Sequence, residues 1–66
     1  MDLNTLFGAN VKKRRLILGI SQETLANRAG VDRTYIPDIE KGHRNVSLVV
    51  AERIAKALEV KLSDLI

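Results

Sequence analysis

The sequence predicts an all-α fold, a compact bundle of four to five short helices. Two observations carry that reading. Apolar residues recur at three- and four-residue spacing along the chain, and glycine, Asx and serine residues cut it into short units. No stretch alternates polar and apolar residues with period two, so strand signals are almost absent.

The first helix runs from Leu3 to Leu18. Leu3, Phe7, Val11 and Leu18 form its stripe, Leu6 and Leu16 lie alongside, and Gly19 follows where a left-handed cap is wanted. Ser21 offers a capping hydroxyl to a second helix, "SQETLANRA", with Leu25, Ala26 and Ala29 on one side. Gly30 ends it. A third helix has Asp32 as its expected cap, Ile36 and Ile39 facing inward, and Gly42 as its close. Ser47 caps a fourth, "SLVVAERIAKAL", whose stripe is Leu48, Ala51, Ile54, Ala55 and Leu58. In the tail "VKLSDLI", Ser63 is expected to begin one last turn.

Sixty-six residues make one expected domain, 1–66, with a single small core. A chain of that length buries only about 60 % of its unfolded surface, so single core changes should be felt. Cysteine is absent, which excludes disulfides and thiolate metal sites. No apolar run approaches the roughly 20 residues that span a bilayer. The first ten residues, "MDLNTLFGAN", lack a basic segment followed by an apolar block, so a cytoplasmic location is expected and no membrane partner. Eleven basic against eight acidic side chains give a net charge of +3, which favours a polyanionic partner. No cofactor, metal or small-molecule ligand is implied. Enzyme activity is not expected either, because no nucleophile has a base beside it and His43 is the only histidine.

The informative joint lies between the second and third helices, "SQETLANRAGVDRTYIPDIEKG". Ala26 stands where the two helices must cross closely, Gly30 where positive φ is free only for glycine. Ile36 and Ile39 supply the inward face of the second member. Together these form a helix-turn-helix pattern, in which the second helix is held out for the DNA major groove. At about 100° per residue, turning Ile36 and Ile39 inward puts Arg33, Thr34, Pro37, Asp38 and Lys41 outside. Arg33 can bind guanine bidentately, Thr34 can meet a base or phosphate, and Asp38 can read cytosine or restrain Arg33 or Lys41.

Pro37 is the odd member of that set. Capped by Asp32, the helix would hold Pro37 as its fifth residue, leaving the Arg33 carbonyl without a partner at a cost of about 3 kcal/mol. Capped by Thr34, it would hold Pro37 in the first turn, where the missing N–H costs nothing. Either way, Pro37 is expected to offer the groove an apolar ring and no hydrogen bond.

From Leu6 to Leu65, including "GANVKKRRLILGISQETLANRAGVDRTYIPDIEKGHRNVSLVVAERIAKAL" and the closing "LSDLI", the chain resembles the lambda-repressor-like, Cro-type (XRE) helix-turn-helix family. Within it, "DRTYI" followed by "RN" is similar to the controller proteins of restriction-modification systems, small dimeric transcription regulators. The resemblance implies that Arg33, Thr34, Tyr35 and Arg44 touch DNA and that Gln22 holds a phosphate at its helix start. Arg44 and Asn45 are expected to grip the backbone or enter the minor groove. The resemblance also implies a partly buried ion pair between Arg15 and Glu40, while Lys12, Lys13 and Arg14 are expected to be solvated.

The implied function is sequence-specific DNA binding by a homodimer on a palindromic operator. Its interface is expected to include Val49 and Val50, off the core stripe, with Leu65 and Ile66. The alternatives are a phage-type repressor, an antitoxin-type regulator, or a protein-interaction module on the same fold.

Overall fold

The computed structural model describes residues 2–66. It has four α-helices, α1 (Leu3–Leu18), α2 (Gln22–Ala29), α3 (Tyr35–Glu40) and α4 (Leu48–Ala57), and a closing 3₁₀ turn, Leu62–Leu65. No strand occurs among the described residues. Each of the first two helices starts on a side-chain cap: Asp2 accepts the Thr5 N–H, and Ser21 accepts the Thr24 N–H. Ser47 does the same for α4 through the Val50 N–H. Gly19 and Gly30 close α1 and α2 with φ of 68° and 70°, the left-handed conformation expected of both. The turn from α2 into α3 is therefore a glycine hinge.

α1 packs on α3, α2 packs on both α3 and α4, and the closing turn packs on α1 and α4. Between them lie Phe7, Val11, Leu25, Ala26, Ile36, Ile39, Ile54, Leu58 and Leu65, all buried. Two approaches are tight enough to dictate sequence. A Cβ on Gly8 would lie 2.0 Å from the Ile39 carbonyl oxygen, so α1 and α3 touch backbone to backbone there. Gly42, at φ 76°, would put a Cβ 2.8 Å from Thr5 Cα.

Several expected positions move. Leu3, on the expected stripe of α1, is exposed, and so is Leu48 at the start of α4; Leu6 and Leu16, expected alongside the stripe, are exposed as well. Leu3 and Leu48 lie at helix starts, where the neighbouring elements no longer cover the stripe. The last turn begins at Leu62 rather than Ser63, and the Asp64 carboxylate accepts the Lys61 N–H. Arg14 is not free in solvent: its Nε donates to the Leu58 carbonyl at 3.0 Å, a cation on the C-terminal end of α4. Leu65 is 2 % exposed and belongs to the core, so it is withdrawn from the expected dimer interface. Val50 is half-buried against that core.

A candidate nucleic-acid interface

α3 is short, and its start answers the question raised by Pro37. The Asp32 carboxylate accepts both the Thr34 N–H, at 2.9 Å, and the Thr34 hydroxyl, at 2.7 Å. These two bonds hold the Asp32 carboxyl below its ordinary value of 3.8. The Tyr35 N–H then bonds the Asp32 carbonyl and the Ile36 N–H the Arg33 carbonyl, so a tight turn leads into a helix that begins at Tyr35. Thr34 is the capping residue, although its side chain makes no cap bond. Pro37 is the third helical residue. The carbonyl it cannot serve, that of Arg33, is already taken by Ile36 at 3.4 Å. The late start therefore removes most of the cost of a proline there. We expect Pro37→Ser to change stability by less than about 1 kcal/mol, since lost chain stiffness offsets a regained donor. Urea denaturation of the two proteins measures this.

With Ile36 and Ile39 buried, one outward surface carries Arg33, Thr34 and Tyr35, with half-buried Pro37 and Asp38 and exposed Lys41. The loop after α3 adds to it. The Arg44 guanidinium stacks on the Tyr35 ring, 4.1 Å from its centre, and its Nη2 lies 3.8 Å from Asp38 Oδ2. Asp38 thus restrains Arg44, and neither Arg33 nor Lys41 as the sequence suggested. Asn45 accepts a hydrogen bond from the Asn4 side chain, which ties the loop to the start of α1. The Arg33 Nη1 approaches Glu23 Oε2 at 3.5 Å across the hinge.

Behind this surface sits a buried polar cluster. Arg15 donates to both Glu40 oxygens, Nε at 2.6 Å and Nη2 at 3.1 Å, and to the Ile20 carbonyl at 2.9 Å. Gln22 Nε2 also donates to Glu40, at 3.1 Å. One carboxylate at the end of α3 therefore holds α1 and the start of α2. This contact uses one of the two Gln22 amide hydrogens, so an anion at the start of α2 would meet the second one together with the first-turn N–H groups. Lys12 and Lys13 are exposed, and His43 lies exposed in the loop.

A helix-turn-helix family model matches residues 11–65, nearly the whole chain. The chain belongs to the helix-turn-helix family. Among curated relatives, it is 48 % identical to control protein C.BamHI of Bacillus amyloliquefaciens, over 98 % of this chain and 82 % of that one. To control protein C.MunI of a Mycoplasma species it is 45 % identical, over 97 % and 88 %. Its fold matches the restriction-modification controller C.AhdI from Aeromonas hydrophila with a TM-score of 0.92 and 41 % identity, over 96 % of both chains. The controller C.Esp1396I, solved as a tetramer in complex with its natural 35 base-pair operator, matches with a TM-score of 0.86 and 41 % identity, covering 92 % of this chain and 80 % of that one.

Among the described residues, no cluster of histidine and carboxylate side chains fits a metal, and no helix is long and apolar enough to cross a membrane.

Proposed function

We propose that the protein is a sequence-specific DNA-binding transcription regulator of the restriction-modification controller type, acting as a homodimer on a palindromic operator. The observation that carries this is the outward surface formed by α3 and the turns that flank it. It presents Arg33 and Lys41 for bases and phosphates, and it is braced from behind by the Arg15–Glu40–Gln22 cluster. The likeness to controllers, one of them solved on its operator, supports the same reading.

In that role Arg33 reads a base edge, and Thr34 and Tyr35 flank it. Lys41 and Arg44 neutralise phosphates, while Asn45 enters or borders the minor groove. Pro37 offers a ring without a donor. Selection of bound sequences from random duplex DNA tests the reading, and a half-site repeated with two-fold symmetry is the expected output. Arg33→Ala should then lose about 1–3 kcal/mol of discrimination at one guanine. Lys41→Ala should weaken all duplexes alike and lower the slope of log affinity against log salt by nearly one. Titrations at several salt concentrations separate the two effects.

Dimerisation sets two reading helices about 34 Å apart, one DNA turn. The surface that supports it is centred on Leu48, 78 % exposed, with Val49 (63 %) to one side and Leu3 and Ile66 to the other. Burying such a patch against its own copy removes apolar area from water on both sides. The double change Leu48→Asp with Val49→Asp should leave the fold intact, because both side chains lie outside the core. It should shift sedimentation to the monomer and weaken operator binding in proportion, by mass action.

A further inference from the structure

Glu23 is an anomaly beside the reading surface of α3. It lies in the first turn of α2, at the helix start where a phosphate would be held, and it is largely exposed. A free carboxylate there repels the backbone of any duplex. Among the described residues its one close charged contact is Arg33, Nη1 to Oε2 at 3.5 Å, with both side chains mostly in solvent, 73 % exposed for Arg33 and 64 % for Glu23. An exposed pair of this kind adds little to stability, so a purely structural role is weak. The pair does span the glycine hinge, joining the first turn of α2 to the residue that opens the turn into α3.

We propose that Glu23 is a positioning residue for specificity: it orients the Arg33 guanidinium towards one base edge and repels duplexes that do not engage that arginine. This rests on the reading of Arg33 as a base contact. Arg33 has five N–H donors in a rigid plane. One nitrogen is turned to Glu23, which leaves other donors of the fork to span guanine O6 and N7. On the matching site, Arg33 lies between the carboxylate and the guanine, and the negative charge is compensated. On any other sequence, Arg33 gains no base partner, and a carboxylate near the phosphates stays an uncompensated penalty. Glu23 therefore raises the operator-to-random affinity ratio from both ends.

The test compares Glu23→Gln with the wild-type protein on the selected operator duplex and on a scrambled duplex of the same composition. Glu23→Gln keeps the shape and removes the charge. Expected are an operator affinity lowered about threefold, as part of the discrimination one arginine–guanine contact supplies, and scrambled affinity raised about twofold at low salt. The loss should map to one base pair, the one that Arg33→Ala also relaxes. In the Arg33→Ala background, Glu23→Gln should tighten both duplexes equally, with no further loss of discrimination. A thermal melt of Glu23→Gln within a degree or two of wild type excludes a folding effect. Equal tightening on both duplexes in the wild-type background would overturn the proposal while leaving the DNA-binding reading intact. If wild-type protein prefers no duplex, that reading fails, and this proposal fails with it.

Discussion

Glu40→Ala should cost about 3–5 kcal/mol of stability, which is the usual effect of removing one partner from a buried ion pair. The Arg15 and Glu40 side chains are only 11 % and 4 % exposed. Without the carboxylate, Arg15 keeps a single acceptor, the Ile20 carbonyl, for a buried cation. Gln22 loses its acceptor at the same time. A 66-residue domain has roughly 3–10 kcal/mol in all, so much of this variant should be unfolded near body temperature. Equilibrium denaturation in urea measures the loss, and a cost below about 1 kcal/mol would show that the pair is wetter than its geometry implies. Replacing both partners with leucine or methionine should recover much of the stability, because the desolvation of two charges disappears together. It should not recover operator affinity, since nothing then ties the end of α3 to Gln22.

Gly8→Ala should be almost as damaging, for a different reason. In most helices this change stabilises, by about 1 kcal/mol, because alanine gives up less backbone freedom. Here the new methyl would sit 2.0 Å from the Ile39 carbonyl oxygen and 3.1 Å from the Glu40 carbonyl carbon. Both are backbone atoms and cannot rotate away. The helices must move apart by more than an ångström, which loosens the packing of Phe7 and Val11 on Ile36 and Ile39. Overpacking of this kind costs about 1–3 kcal/mol or more. Because α3 itself must shift, operator affinity should fall further than stability alone explains. A stabilised Gly8→Ala protein would show that the two helices do not cross at this glycine.

The fold was legible because local signals and burial agree over most of the chain. Ser21 and Ser47 cap where they were expected to, and Gly19 and Gly30 close their helices in the left-handed conformation. The Arg15–Glu40 pair was also expected, though from family resemblance rather than from spacing. The features that local sequence does not show depend on the third dimension. Gly8 looks like any glycine inside a helix until α3 is seen lying on it. Leu48 fits an inward stripe by periodicity, yet the first residue of α4 has nothing opposite it. Leu65 is the opposite case: its position near the chain's end suggests exposure, yet the closing turn folds back onto α1 and α4 and buries it.

At the reading surface, the sequence identified the outward residues of α3 but not their partners. Asp38 turns to Arg44, and Glu23 to Arg33, because the loop and the hinge bring together groups distant in the chain. The end of α4 shows the same limit. Glu59, not a glycine, takes the left-handed position there, at φ 63°.

The decisive question is which face of the protein meets DNA. Backbone amide shifts of isotope-labelled protein, followed as the selected duplex is added at low salt, address this residue by residue. Changes should concentrate in the first turn of α2, from Asp32 through Lys41, and in the loop through Asn45, with the exposed side of α1 around Lys13 and Ile17 unmoved. Perturbation centred on that α1 side, with α3 silent, would contradict the reading of α3 as the DNA-facing helix.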